Sequence, residues 1–261
     1  MDTSRIISKY KEHDSFFQET LISFKDKNVV HLIAHEILSD LSQRTNFIFE
    51  GLIELVEKDN LYSSFILYRS ILEHFYKSFF LFARTVKDNS DEMASKYQKH
   101  YFISEFLAEQ AGILEMEELV TDSSRKTDFI KFIKMKMPDL EGFDKENQRE
   151  ISAAIKYFNV KAIVKFFYED FSNNGSTQIA AIIAKTIPEY AHVSTFTHGG
   201  AYASNLIAKI VEQEKVEQEL NKIISIALTC SCITKENIFS TYEPNDNFPE
   251  VIKRFQEIRL L

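Results

Sequence analysis

The chain has 261 residues, of which 44% are hydrophobic and 27% charged, a composition typical of a folded globular protein. With only 6 glycines and 4 prolines it has few residues suited to the tight turns that a β-sheet protein of this length needs in number. A formal net charge of −8 weighs against a large nonspecific nucleic-acid footprint, because such binding depends on cations that neutralise phosphates. A local basic surface is compatible with this charge.

The sequence begins Met-Asp-Thr-Ser-Arg, without the basic and then apolar segment of a secretory signal. It also contains no run of about 18 uncharged apolar residues, which is the length needed to cross a bilayer. We therefore expect a protein of the cytoplasm that does not interact with a membrane.

Apolar residues recur at spacings of three and four along nearly the whole chain, which predicts a succession of amphipathic α-helices. We expect a single all-α domain over residues 1–261, a bundle of about eight or nine helices. Turn-forming clusters separate the helices at residues 58–60, 87–90, 138–142, 172–175, 199–200 and 244–247. The predicted helices span residues 3–24, 28–58, 61–87, 91–113, 122–136, 145–171, 176–196, 201–241 and 247–260.

The predicted helix at residues 61–87 is apolar on almost every face, which indicates a helix at the centre of the bundle. It nevertheless carries Arg69, Glu73, His74 and Lys77, and charged groups on a central helix need partners or a wet cavity. Two interpretations follow from this conflict. Either a buried Arg69–Glu73 pair fixes the helix register and His74 is a core histidine, or these residues form a functional site.

A second polar cluster begins at Tyr190. Ser194 and His198 are four residues apart, so a helix places their hydroxyl and imidazole on one face, close to the Gly-Gly pair that follows. A serine hydrolase needs a third group and a nucleophile elbow, which the sequence lacks. We therefore favour local hydrogen bonding by Ser194 and pairing of His198 with a carboxylate such as Glu73.

Together, the segment Leu-Tyr-Arg-Ser-Ile-Leu-Glu at residues 67–73 and the segment Tyr190–His198 resemble a widespread bacterial family of helical proteins of unknown function. The family pattern is an Arg-Ser-x-x-Glu helix followed by a Tyr-x3-Ser-x3-His segment, and the resemblance covers about residues 40–210. It implies that Arg69, Glu73, Ser194 and His198 belong to one site. It does not imply a reaction.

Residues 69–74 also match the R-x(4–6)-H motif of the HEPN superfamily (higher eukaryotes and prokaryotes nucleotide-binding). Its members are small helical bundles, commonly dimeric, in which the Arg and His of two protomers face a shared cleft and cleave RNA without a metal. This resemblance implies a homodimeric endoribonuclease of bacterial stress, toxin–antitoxin or phage-defence systems. A regulatory protein partner would fit such a system.

In that mechanism Arg69 binds the scissile phosphate, His74 or His198 transfers protons, and Glu73 orients an imidazole or the guanidinium. The alternative is a non-catalytic interaction or sensor protein. In that case the same Arg, Glu and His cluster is structural or binds a small anion.

Residues 125–136 carry five basic residues and a single acidic one. Arg125, Lys126, Lys131 and Lys134 are therefore candidate contacts for an RNA phosphate backbone or for an acidic partner. The alternative is that these side chains are the solvated face of an amphipathic helix.

The sequence does not indicate a metal or a cofactor. His31 and His35 have the i,i+4 spacing with which two imidazoles can hold one metal ion, but a third ligand is not evident. Glu189-x-x-His192 is one copy of the ligand pair of di-iron bundles, which require a second copy that the sequence lacks.

Overall fold

The computed structural model describes residues 3–120, 128–136, 141–175, 186–197, 199–243 and 248–259. Eleven helices form in these ranges, close to the eight or nine predicted, and the only β pairing within them is an isolated bridge between Val29 and Tyr242. The prediction of an all-α bundle is confirmed. None of the helices described combines the length and hydropathy needed to cross a membrane.

Helix α4 is one continuous stretch, Glu92–Lys96 and Phe102–Val120 joined by the π turn Tyr97–Tyr101. The other helices are α1 Thr3–Ser23, α2 Leu32–Glu57, α3 Leu61–Asp88, α5 Phe129–Lys136, α6 Lys145–Lys156, α7 Val160–Asn173, α8 Thr186–Thr197, α9 Ala201–Glu212, α10 Val216–Glu236 and α11 Phe248–Arg259.

Local capping fixes both ends of α3. The Asn60 side chain accepts a hydrogen bond from the Ser63 backbone N–H at 3.2 Å, which satisfies one of the unpaired donors of the first turn. At the other end Asn89 adopts the left-handed conformation with φ 45°, a common helix stop. Both residues lie in turn clusters that the sequence predicts.

Two of the predicted helices are wrong as single elements. The helix predicted at 145–171 is divided into α6 and α7, because Asn159 turns to extended backbone and its side chain caps the Lys161 N–H at 2.9 Å. The helix predicted at 201–241 is divided into α9 and α10, where Glu214 has a φ of 53°, and a 3-10 turn, Asn237–Thr241, follows α10. In addition, α2 begins at Leu32 rather than at residue 28, because the preceding segment pairs with the chain near Tyr242.

Helix α3 lies at the centre of the main hydrophobic core, as predicted. It packs against α2, α7, α8 and α10, and its Tyr68, Ile71 and Leu81 are almost completely buried. Burial of this kind is the main source of stability in a helical bundle. The charged residues of α3 are therefore placed beside the core.

A second, smaller hydrophobic cluster is formed where α5 and α6 pack on α4. Its buried members are Leu107, Leu114, Phe132, Ile133, Phe143 and Ile151. Helix α4 starts beside α3 and continues into this cluster, so it connects the two cores.

Candidate functional site

The Arg69 side chain connects α3 with α8. Its Nε donates to Ser194 Oγ at 3.2 Å, and its Nη2 donates to the Tyr190 hydroxyl at 3.1 Å. The same Nη2 lies 3.4 Å from Glu73 Oε2, one turn further along α3. The structure thus brings three of the predicted site residues, Arg69, Glu73 and Ser194, into direct contact.

Glu73 is shared between two cations. Lys77, another turn along α3, donates to Glu73 Oε1 at 2.9 Å, while the Tyr190 hydroxyl donates to Glu73 Oε2 at 3.3 Å. Lys77 also donates to the hydroxyl of Tyr101, and its Nζ lies 4.5 Å from the centre of that ring. Two cations and one carboxylate leave this cluster with a formal charge of +1.

Glu73 and Lys77 stabilise each other in their ionised forms. Burial raises the pKa of Glu73, but the charges of Lys77 and Arg69 outweigh burial and hold this pKa below its ordinary 4.5. Burial lowers the pKa of Lys77, but Glu73 and Tyr101 outweigh it and raise this pKa above 10.5. Burial, followed by the Glu73 charge, raises the pKa of Tyr190, so its phenol stays neutral and can donate.

His74 makes its hydrogen bond to the backbone of α3 rather than to the side chains of this cluster. Its Nδ1 lies 2.7 Å from the Ser70 carbonyl oxygen, which can only accept, so Nδ1 carries the proton and the neutral ring presents a lone pair at Nε2. Burial lowers the pKa of His74 below its ordinary 6.5, and the Ser70 hydrogen bond does not offset this. No hydrogen bond or ion pair within the described residues joins His74 to Arg69 or Glu73.

The lowered pKa of His74 makes stability depend on pH. The unfolded chain binds a proton at this residue near pH 6.5, whereas the folded chain does so only at lower pH, so acid favours unfolding. We expect the free energy of unfolding to fall by up to about 1.4 kcal/mol per pH unit on this account as pH drops below 6.5. The stabilisation that Glu73 contributes is lost separately, as the pH falls below 4.5.

Denaturant unfolding at pH 7.5, 6.5 and 5.5 tests this prediction. In the His74→Gln variant the free energy of unfolding should depend less steeply on pH, by the contribution of one titrating group. The contributions of His35 and His100, whose pKa values burial also lowers, should remain. An unchanged slope in His74→Gln would contradict the assignment.

Three residues of the cluster are absent from the set that sequence reasoning assigned to the site. Lys77 continues the i,i+4 series that Arg69 and Glu73 begin, and this spacing is the signal that could have added it. Tyr190 begins the Tyr-x3-Ser segment and could have been added with Ser194. Tyr101 comes from the π turn of α4, for which the sequence has no comparable signal.

The remaining candidate residues lie elsewhere or are not described. His198, Arg125 and Lys126 lie outside the described residues. Lys131 and Lys134 are exposed on α5, and their role in nucleic-acid binding stays a prediction.

Two of the histidines considered as metal ligands, His35 and His192, have other partners. His35 Nδ1 is hydrogen-bonded to Thr241 Oγ1 at 2.9 Å, and the His192 ring packs against Phe65 with 6.2 Å between ring centroids. Glu189 pairs with Lys222 at 3.3 Å. In the parts of the chain that the structure describes, no three His, Cys, Asp or Glu side chains are placed to hold a metal ion together.

Comparison with known proteins identifies a family but not an activity. A model of a family of unknown function, DUF5677, matches residues 35–175, which include Arg69, Glu73, Lys77 and Tyr101 but end before α8. No curated protein and no solved structure matches the chain significantly. The expected resemblance to a family of unknown function is confirmed. The chain therefore belongs to the family of unknown function DUF5677.

Proposed function

We propose that this protein is a metal-independent endoribonuclease, related to the HEPN superfamily, in which Arg69 binds the scissile phosphate. The observation that carries the proposal is the geometry of Arg69, whose side chain is 25% exposed and whose guanidinium is held in place by Ser194, Tyr190 and Glu73. A fixed guanidinium is suited to phosphate, because its planar donor set matches phosphate oxygens. The setting would be a bacterial stress, toxin–antitoxin or phage-defence system in the cytoplasm.

The charge of the cluster supports the same proposal. Lys77, only 8% exposed, and Arg69 share one carboxylate, so one positive charge is not compensated within the cluster. An anion that approaches Arg69 would restore the balance in a partly desolvated place, where such a charge is worth more than in open water. A phosphodiester carries that single negative charge.

The proton transfers are assigned to the histidines. In metal-free RNA cleavage a base takes the proton of the 2′-hydroxyl, the 2′-oxygen attacks phosphorus, and the 5′-oxygen leaves with a proton, which produces a 2′,3′-cyclic phosphate. His74 is neutral at pH 7 with its lone pair at Nε2, the form that a general base requires. The sequence spacing makes His198, four residues after Ser194, the second candidate.

A homodimer is part of this proposal. Arg69 and His74 are five residues apart on α3, about 140° around an ideal helix, so they face different directions within one protomer. Arg69 and His74 are both partly exposed, so a dimer contact at this edge of α3 would allow the imidazole of one protomer to meet the guanidinium of the other. Residues from both subunits would then form each cleavage site.

A non-catalytic role as a sensor or interaction protein is the second candidate. It is favoured by the same contacts, because Ser194, Tyr190 and Glu73 already engage two nitrogens of the guanidinium. Arg69 would then bind a small anion or stabilise the packing of α8 on α3, and a regulatory protein partner would respond to that state.

Cleavage of single-stranded RNA in the presence of EDTA tests the enzyme proposal. We expect cleavage by the wild type to yield 2′,3′-cyclic phosphate ends and to slow at least about 100-fold in Arg69→Ala, because a lost anion donor costs that much. His74→Ala or His198→Ala should show a comparable loss, and whichever does identifies the general base.

Arg84→Ala is the matched control for Arg69→Ala. Arg84 is also on α3 and also pairs with an acid four residues later, Asp88 at 2.7 Å, but it lies outside the cluster. It should retain wild-type cleavage. Absence of cleavage by the wild type, or equal rates in all variants, would refute the nuclease and leave the anion-binding role.

A further inference from the structure

Helix α6 carries an unusual arrangement of charge on its exposed side. Lys145, Arg149, Ser152 and Lys156 follow one another at spacings of four, three and four residues, which places them within about 60° of arc on the helix surface. All four are exposed. We call this row the α6 cationic stripe.

The cations of the stripe are not neutralised locally. None of the three, Lys145, Arg149 and Lys156, forms an ion pair in the part of the chain that the structure describes, although many other basic residues there do. The glutamates of α6, Glu146 and Glu150, lie about 60° and 100° around the helix from the nearest cation of the stripe, Arg149, and neither forms an ion pair with it within this described helix. In a protein of net charge −8, a row of unpaired cations on one face is a local exception.

The stripe borders a surface depression of about 440 Å³, lined by its own four residues together with Gln148 and Ala153. The polar lining consists of ammonium, guanidinium, hydroxyl and amide groups, all of which can donate to phosphate oxygens. All six lining residues belong to α6, so the depression lies between neighbouring side chains of the stripe. Donors in a row of this kind suit a flexible polyanion that lies along the helix.

We propose that the α6 cationic stripe binds the phosphate backbone of single-stranded RNA outside the cleavage site. From Lys145 to Lys156 the helix rises about 16 Å, which matches roughly three to five nucleotides of a strand that advances about 3.4 Å or more per nucleotide. A binding length of this order lies at the lower end of the site sizes of modules that bind single strands, about 4–16 nucleotides. The choice of RNA over another nucleic acid rests on the proposed function, whereas the phosphate chemistry rests on the stripe alone.

The test is binding of a fluorescein-labelled 12-nucleotide 2′-O-methyl RNA, followed by fluorescence anisotropy at 50 and 200 mM salt. This probe has no free 2′-hydroxyl, so binding is measured whether or not the protein is a nuclease. We expect Lys145→Gln/Arg149→Gln/Lys156→Gln to bind at least about tenfold more weakly at 50 mM salt than the wild type. The slope of log affinity against log salt concentration should be smaller in magnitude by about 2 for this variant. Each lost phosphate contact to a single strand removes about 0.7 from that slope.

A second triple variant, Lys11→Gln/Lys25→Gln/Lys27→Gln, controls for the change in total charge. These three lysines are exposed in and just after α1, outside the stripe. The control should bind within about twofold of the wild type. Equal weakening in both variants, or no weakening in the α6 variant, would overturn the proposal, and circular dichroism verifies that both remain folded.

Two further measurements distinguish this proposal from binding of an acidic protein and from the nuclease proposal. A polyglutamate peptide that competes as well as the oligonucleotide would assign the stripe to an acidic protein partner and overturn RNA as the ligand. Arg69→Ala should keep most of the binding of the probe while losing cleavage. If wild-type cleavage is absent but α6-dependent binding persists, the nuclease proposal fails and the RNA site stands.

Discussion

Replacing Glu73 with alanine is expected to lower the free energy of unfolding by about 3–5 kcal/mol. The substitution removes the only carboxylate of the cluster and leaves two cations beside the core, Lys77 at 8% exposure and Arg69 at 25%. Lys77 would keep only the Tyr101 hydroxyl and ring as partners. Folding has already removed most of the water around such a cation, and the substitution then removes the carboxylate that compensates its charge.

Urea denaturation of Glu73→Ala beside Glu54→Ala measures this effect. Glu54 pairs with Lys58 at the same i,i+4 spacing, but its side chain is 74% exposed, so its loss should cost at most about 0.5 kcal/mol. If both variants lose the same small amount, the Glu73 carboxylate does not hold the cluster together. A substantial loss means that activity data on Glu73 variants must be taken below their unfolding midpoint.

Replacing Phe239 with alanine is expected to cost about 3–5 kcal/mol as well, for a different reason. Phe239 is 1% exposed in the 3-10 turn, and its ring lies 5.6 Å from that of Phe17, 5.2 Å from that of Phe24 and 5.7 Å from that of Phe255. Helices α1 and α11 thus meet on a side chain of the turn that follows α10. Truncation leaves a cavity that these elements cannot close without moving together.

Phe47→Ala is the matched control for Phe239→Ala. The Phe47 side chain is 62% exposed on α2, so its truncation creates no cavity and should change stability by no more than about 0.5 kcal/mol. Thermal or denaturant unfolding of the two variants gives the comparison. Equal effects would mean that the aromatic contacts around Phe239 contribute little beyond those of a surface ring.

The parts of the fold that the sequence predicts are those with a local cause. Helix α3 follows from its apolar periodicity and from the asparagines at its ends, and both are visible in the sequence. The interruption before Asn159 was missed because apolar residues continue through it, so the periodic signal masks the capping residue. At Glu214 the chain takes a positive φ without a glycine, a conformation that sequence patterns do not indicate.

For the candidate site, sequence reasoning reached part of the cluster and missed Lys77, Tyr190 and Tyr101, of which only Tyr101 has no signal in the sequence. Arg69, Glu73 and Ser194 were selected from spacing and resemblance, and they are in contact. Tyr101 is 24 residues from Lys77 and reaches it only because α4 returns along α3. Contacts of this kind depend on how helices pack, which a single sequence does not specify.

The π turn at Tyr97–Tyr101 has a consequence for the whole α4 helix. A π turn accommodates one more residue than an α turn, so everything after it is rotated by about 100° relative to an uninterrupted helix. Leu107 and Leu114, on which α5 and α6 pack, lie after this point. The wide turn that presents Tyr101 to Lys77 therefore also determines the side of the molecule on which the α6 cationic stripe emerges. A deletion of one residue there would reorient the stripe while leaving each helix intact.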